Sequence, residues 1–254
     1  MNLKTMKKIL NITALSVGAM LFGQTQIIAH RGFWNADPKT AKNSIASLEN
    51  AQKIKVYGSE FDVQMTKDGV LVVNHDEHIN NVEIAETTYS ELKSQKLSNG
   101  ETIPTLESYL STGKKDSSVK LIVELKPLKS EFRETEMVGK ALQMIKGLKL
   151  ENQVDYISFS LHICKELKKQ DATVKVQYLK GELSPAEIKN LGIDGIDYHY
   201  SVFLEKHKDW LAQAKQLGLI TNAWTVNDPA IYQQLKDLGV DFVTTDIPDQ
   251  LLKK

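Results

Sequence analysis

The chain has 254 residues, of which 41% are hydrophobic and 25% are charged, an ordinary balance for a globular protein. Its 32 basic and 32 acidic residues cancel, so no overall basic field indicates nucleic acid as a partner. The length suits one large domain or two small ones. The one cysteine, Cys164, cannot form an internal disulfide, and its helix-like surroundings favour a buried small residue over a catalytic thiol.

Residues 1–26 have the pattern of a secretory signal. Three lysines within residues 4–8 precede an apolar stretch, 9–22, that is short for a membrane span. Cleavage is expected at Gly23 or Gln24, and a retained anchor or a buried helix remains the alternative. We expect residues 27–254 to form one periplasmic or secreted domain with no stable membrane insertion once the signal is removed.

Short apolar runs then alternate with amphipathic ones along the chain. Strands are predicted at residues 27–30, 57–63, 119–125, 154–159, 174–179, 193–198, 220–226 and 240–244, and helices at 89–97, 131–148, 161–169, 184–191, 204–217 and 229–238. A ninth strand, 70–74, fits the returning arm of a hairpin. This alternation predicts an α/β fold of the (β/α)₈ TIM-barrel type. An open doubly wound sheet is the second choice, without a glycine-rich nucleotide loop to support it.

His30 and Arg31 directly follow the apolar residues 27–29 of the first predicted strand, and Gly32 allows a sharp turn behind them. A histidine in this position more often has a structural role. The planar guanidinium of the adjacent Arg31 suits phosphate oxygens, however, and therefore favours anion chemistry.

Glu60 and Asp62 lie two residues apart in the second predicted strand, so their side chains face one side while Phe61 and Val63 face the other. Two adjacent carboxylates are costly unless a cation or solvent lies between them. For an isolated pair, a solvated strand face is the competing interpretation.

A hairpin turn at Asp68-Gly69 follows this strand. A two-residue loop pairs Lys67 with Val70 and therefore Asp62 with His75, which brings His75 within roughly 5–8 Å of the carboxylates. A shift of one residue would turn His75 to the opposite face.

In order and spacing the chain resembles the glycerophosphodiester phosphodiesterase family over nearly all of its length after residue 26. Five motifs carry the resemblance: His30-Arg31-Gly32, Asn43-Ser44, Glu60-x-Asp62, Asp68-Gly69 and His75-Asp76. The resemblance implies a TIM barrel that hydrolyses glycerophosphodiesters to glycerol 3-phosphate and an alcohol.

Glu124 and Lys126 share one face of the third strand, a spacing that alone is equally consistent with a pair at a barrel rim. Beside Glu60 and Asp62, Glu124 supplies a third carboxylate. Three oxygen ligands suit one divalent cation, Mg²⁺ or Ca²⁺, better than zinc. The family's motifs match these residues, with Lys126 as a phosphate contact.

Two histidines beside a metal-bound phosphodiester can supply a general base and a general acid, because imidazole titrates near pH 6.5. The resemblance assigns these roles to His30 and His75 and leaves open which is which. Arg31 and Lys126 would assist at the phosphate. Trp224 lies in a Trp-Thr-Val-Asn sequence similar to the family's and would form an apolar wall for glycerol, unless it is simply a packed barrel residue.

One motif departs from the family's usual Pro-Glu-Asn-Thr. Here Ala41-Lys42-Asn43-Ser44 keeps the Asn43 that would order the metal site, and Ser44 is expected to cap a helix. Lys42 reverses a charge, which bears on substrate preference. A phospholipase-type enzyme acting on intact lipids and a non-catalytic binding barrel remain alternative functions.

Overall fold

The structure is a computed structural model that describes residues 24–253, so most of the predicted signal lies outside the described residues. In chain order the strands are β1 (Gln26–Ala29), β2 (Gly58–Met65), β3 (Leu71–Val73), β4 (His78–Ile79), β5 (Val82–Glu83), β6 (Lys120–Leu125), β7 (Val154–Ser158), β8 (Val176–Tyr178), β9 (Gly195–His199), β10 (Ile220–Trp224) and β11 (Phe242–Thr245). The helices are α1 (Ile45–Ile54), α2 (Tyr89–Leu92), α3 (Leu106–Gly113), α4 (Glu131–Leu148), α5 (Leu161–Gln170), α6 (Pro185–Asn190), α7 (Trp210–Gln216), α8 (Pro229–Asp237) and α9 (Pro248–Leu251).

Eight parallel strands close into a barrel in the order β1-β2-β6-β7-β8-β9-β10-β11, and β11 pairs back onto β1. This closure confirms the predicted TIM barrel and excludes the open sheet. Strand β3 runs antiparallel along the end of β2, beyond the point where β2 pairs with β1. None of the described helices is both long and apolar enough to cross a bilayer.

Strand side chains alternate between two hydrophobic cores. Phe61 and Val63 face outward, opposite to the carboxylates, as predicted. Both are fully buried under the helices, and Phe61 packs on Tyr109 with ring centroids 4.2 Å apart. A smaller core fills the barrel interior and consists of Ile28, Ile122, Ile157 and Leu179. Burial of each such side chain contributes about 1.5–3 kcal/mol. The interior positions nearer the strand ends are therefore free for polar side chains.

The predicted hairpin register is wrong by one residue. Strand β2 pairs Val63 with Val73, and the amide of Asn74 donates to the carbonyl of Asp62 at 3.0 Å. The loop has three residues rather than two and closes between Thr66 and Val70, with Gly69 at φ +81°. A three-residue hairpin loop requires one residue in the left-handed region, and glycine supplies it.

The predicted helix at 204–217 is also wrong, because the chain forms two shorter pieces. A single π-helical turn, Val202–Lys206, ends at His207, whose φ of −136° and ψ of 68° are not helical. The His207 ring stacks on Trp210, the first residue of α7, at 3.9 Å. The helix predicted at 89–97 ends at Leu92.

Candidate active site

Three acidic side chains meet at the carboxyl ends of two neighbouring strands. Asp62 on β2 lies in register with Glu124 on β6, and Glu60 precedes Asp62 by one alternation of β2. All three are more than 90% buried, and carboxylate oxygens from each lie within 4.8 Å of one another. The shared face expected for these residues therefore exists, and it opens at the end of the barrel where TIM-barrel enzymes carry out chemistry.

The loop after β1 holds two of these carboxylates. The backbone amide of Arg31 donates to Glu60 Oε2 at 2.8 Å, and Asn43 Nδ2 donates to Asp62 Oδ2 at 2.8 Å. Arg31 and Asn43 both have positive φ, near 58°, which is unusual for residues other than glycine. Between them, a Cβ atom at Gly32 would lie 2.3 Å from the hydroxyl of Ser47, so only glycine fits.

Ser44 accepts a hydrogen bond from the Ser47 amide at 3.0 Å and caps α1, as predicted. The cap fixes the start of α1 directly after Asn43. The loop conformation that aims Asn43 at Asp62 is thereby tied to the helix.

Lys126 is the closest cation to the acidic group. Its Nζ lies 2.7 Å from Glu124 Oε1 and 3.2 Å from Asp62 Oδ1, while Arg31 Nε lies 3.5 Å from Asp62 Oδ2. Burial raises the pKa of Asp62, but Lys126, His75 and Arg31 outweigh it and leave that pKa below its usual value.

The pKa values of the other two carboxyl groups are shifted in the opposite direction, above their usual values. Burial, then the charges of Asp62 and Glu124, raise the pKa of Glu60 well above its usual value. Burial and the charge of Asp62 raise the pKa of Glu124 to about 7. Buried carboxylates with this much mutual repulsion fit a divalent cation, which prefers such oxygen donors.

His30 belongs to a network at the end of β11. Its Nδ1 lies 2.9 Å from Asp246 Oδ1, which also accepts from Trp34 Nε1 at 3.1 Å, and Asp246 Oδ2 accepts from Asn227 Nδ2 at 2.8 Å. Burial opposes ionisation of Asp246, but these hydrogen bonds, led by that of His30, lower its pKa. The network directs the other ring nitrogen of His30 away from Asp246.

His75 lines the same cavity as His30, Glu60 and Glu124, although the register that was expected to place it there is wrong. Strand β3 ends at Val73, and the chain bends at His75, so strand alternation no longer decides where the ring points. Its Nδ1 lies 2.6 Å from Asp76 Oδ1. Chiefly because of burial, the pKa of His75 is lowered.

The cavity has a charged side and an apolar side. It measures about 110 Å³, and its apolar lining consists of Ile157, Phe159, Leu179 and Trp224. Trp224 packs edge-on against Phe159 at 5.6 Å and against His199 at 5.3 Å. Lys126 Nζ lies 5.9 Å from the Phe159 ring centroid. Lys42 lies outside this lining, with its ammonium 4.5 Å from the Trp34 ring.

Sequence reasoning missed Asp197 as a site residue. It lies on β9, is 1% exposed and lines the cavity, and burial followed by the charge of Glu124 raises its pKa well above the usual value. The available signal was the position of Asp197 inside the predicted strand 193–198, although Asp194 lies in the same strand. The partnership of Asp246 with His30 was also missed, because 216 positions separate the two residues.

Comparisons with known proteins show which family the chain resembles. Residues 30–250 match the model of the glycerophosphoryl diester phosphodiesterase family. The chain is 31% identical to a glycerophosphodiester phosphodiesterase of Bacillus altitudinis, over 90% of this chain and 97% of that protein.

Solved structures of the same kind superpose closely. A glycerophosphodiester phosphodiesterase from Parabacteroides distasonis has a TM-score of 0.88 and 48% identity, covering 91% of this chain and 96% of that one. An Oleispira antarctica phosphodiesterase in complex with the product sn-glycerol-3-phosphate has a TM-score of 0.77 and 25% identity, with coverage of 91% and 96%. The chain therefore belongs to the glycerophosphoryl diester phosphodiesterase family.

Proposed function

We propose that this protein hydrolyses glycerophosphodiesters to glycerol 3-phosphate and an alcohol, using one divalent cation and a pair of histidines. The observation that carries the proposal is a cluster of three buried carboxylates, two of which, Glu60 and Glu124, line one small cavity together with His30 and His75. The bound product in the Oleispira antarctica phosphodiesterase supports the choice of substrate class.

Glu60, Asp62 and Glu124 would hold the cation. Three carboxylates without a thiolate or imidazole in the set favour Mg²⁺ or Ca²⁺. When bound, the cation supplies positive charge for the oxygens of the phosphodiester. Asn43 keeps Asp62 in position through its 2.8 Å hydrogen bond.

Arg31 and Lys126 supply the remaining positive charge on the phosphate side of the cavity. Arg31 lines the cavity, and Lys126 lies against Asp62 and Glu124. Either cation can hold phosphate oxygens by charge-assisted hydrogen bonds. The apolar face of Trp224 forms the wall against which the carbon atoms of glycerol pack.

We assign the base to His75 and the acid to His30. A lowered pKa keeps the His75 imidazole neutral near pH 7, so it can take the proton of the attacking water or of a neighbouring substrate hydroxyl. As that oxygen bonds to phosphorus, the phosphorus–oxygen bond to the alcohol breaks. Where the nucleophile is the substrate hydroxyl, a water then opens the resulting cyclic phosphate to give glycerol 3-phosphate. His30 donates a proton to the departing alkoxide, and its hydrogen bond with Asp246 holds the ring in position for that transfer.

A panel of glycerophosphodiesters assayed with Mg²⁺, Ca²⁺ or a chelator tests the function, and we expect chelation to abolish turnover. His30→Ala and His75→Ala should each lower kcat by at least about 10²-fold. His162→Ala is the matched control, since His162 contacts Thr135 outside the cavity. Full activity of either cavity variant would remove that histidine from the mechanism.

A substrate with a different leaving group distinguishes the acid role of His30 from the base role of His75. The p-nitrophenolate ion leaves without protonation. A p-nitrophenyl ester should therefore restore much of the kcat that His30→Ala loses and none of the kcat that His75→Ala loses. The reverse pattern would exchange the assignments.

Export of the protein is a second part of the proposal. The basic and apolar pattern of residues 1–26 supports removal of a signal and a periplasmic or secreted location. Cell fractionation followed by amino-terminal sequencing tests it, with a mature start near residue 24 expected. A protein that retains its first residues in the cytoplasmic fraction would contradict it.

A further inference from the structure

Asp197 is a buried acidic residue in the wall of the cavity, next to Asn222 on β10. The residue is 1% exposed, and its Oδ1 has no hydrogen-bond partner among residues 24–253. A buried polar atom without a partner is costly, and such atoms are rare in folded proteins. At a cavity wall, a ligand can supply the missing partner.

Several neutral polar groups lie around Asp197, in addition to the carboxyl group of Glu124. Asn222 on β10 is its register neighbour, and Asn222 Nδ2 donates to Thr244 Oγ1 at 2.9 Å. Trp224 Nε1 donates to the backbone carbonyl of Asp197 at 2.8 Å. The indole ring that is proposed to pack against glycerol is therefore held next to Asp197. Thr225 and Thr244 also line the cavity. These groups suit hydroxyl groups of a ligand.

Charge and size narrow the choice of ligand group. A phosphate is attracted by the positive charges of Arg31 and Lys126 and not by a carboxyl group. A cationic alcohol is disfavoured because the Lys126 ammonium already lies 5.9 Å from the Phe159 ring in the apolar wall. A cavity of about 110 Å³ is also far smaller than the roughly 300–1,000 Å³ typical of sites for drug-sized ligands. Of the ligand groups considered, a short polyol fits the charge and the size of this part of the cavity best.

We propose that Asp197 is a specificity-determining residue that binds a hydroxyl group of the glycerol moiety. This inference rests on the proposed function and adds the residue by which the site distinguishes glycerol from an alkyl group. A site built to pair with a substrate hydroxyl discriminates strongly against an analogue that lacks it.

The test compares two phosphodiesters that share p-nitrophenol as leaving group and differ only in a glyceryl or a propyl group. Wild-type protein should prefer the glyceryl ester in kcat/KM. Asp197→Leu fills similar space without polar atoms and should lower kcat/KM for the glyceryl ester at least about tenfold, the effect of one hydrogen bond, and leave the propyl ester unchanged.

Two variants complete the comparison. Asp197→Asn keeps an oxygen acceptor and should retain the glyceryl preference. Asp155→Asn is the matched control, because Asp155 is an acidic residue on the neighbouring part of the barrel that does not line this cavity. If circular dichroism shows that Asp197→Leu is unfolded, Asp197→Ala takes its place.

An unchanged glyceryl-to-propyl ratio in the Leu variant would overturn the proposal. So would a loss confined to glycerophosphocholine, since Asp197 would then contact the cationic alcohol. If wild-type protein hydrolyses neither ester with any divalent cation, the proposed function fails. The Asp197 proposal is then decided by calorimetric binding of glycerol 3-phosphate and propyl phosphate, whose affinity ratio Asp197→Leu should reduce.

Discussion

Replacement of Asp246 by asparagine tests the positioning of His30. Asp246 Oδ1 faces His30 Nδ1 and the indole N–H of Trp34, and Oδ2 faces the amide of Asn227. Asn227 is itself fixed because its Oδ1 accepts from the backbone amide of residue 246 at 2.9 Å. An Asp246→Asn side chain must therefore point its own NH₂ group at a donor, and it loses the negative charge beside the imidazole.

The expected loss follows from one charge-assisted hydrogen bond, worth about 1.5–3 kcal/mol, which corresponds to a fall in kcat of about 10- to 150-fold. The assay is turnover of a glycerophosphodiester at saturating divalent cation, with Asp241→Asn as control. Asp241 is a carboxylate that accepts two hydrogen bonds from Thr221 away from the cavity. Because Asp246 acts through His30, adding Asp246→Asn to His30→Ala should not lower kcat any further. Undiminished kcat, or losses that multiply in the double variant, would refute this reasoning.

Three further predictions concern ionisation in the site. Cation affinity measured by calorimetry should rise with pH through about 7, because the proton of Glu124 must leave first, and Glu124→Gln should weaken binding and reduce this proton release. Without cation, the wild-type protein should lose about 3 kcal/mol of unfolding free energy relative to Glu124→Gln between pH 4.5 and 8 in denaturant titrations, since a raised carboxyl pKa stabilises the fold only while the group is protonated. A difference in unfolding free energy that does not change with pH would contradict the raised pKa of Glu124. With the divalent cation saturating at every pH, the acidic limb of kcat/KM should lie below pH 6.5, as burial lowers the pKa of His75; a limb above pH 6.5 would then exclude His75 as the base.

Much of the acidic site could be predicted from local rules. Side chains two residues apart on a strand share a face, and this backbone property places Glu60 with Asp62 whatever the surrounding fold. The barrel followed from alternating strand and helix patterns. The cap at Ser44 followed from residue type, since a hydroxyl before a helix satisfies a free amide.

The hairpin could not be predicted as reliably, because its register depends on a single loop residue. Gly69 takes the positive φ of a three-residue loop, which shifts the partner of Asp62 from His75 to Asn74. His75 nevertheless reaches the cavity because the strand stops before it. Neither the end of pairing nor the following bend is encoded in strand alternation.

What the sequence by itself determined was therefore the content of each strand: which side chains share a face, and which carry acid, base or amide groups. Only the tertiary structure decided which strand ends meet. His30 reaches Asp246 because β1 pairs with β11 at the closure of the barrel, and Asp197 reaches the cavity because β9 turns its carboxyl group inward. Such contacts depend on the packing of the whole chain, since the residues they join lie far apart in sequence.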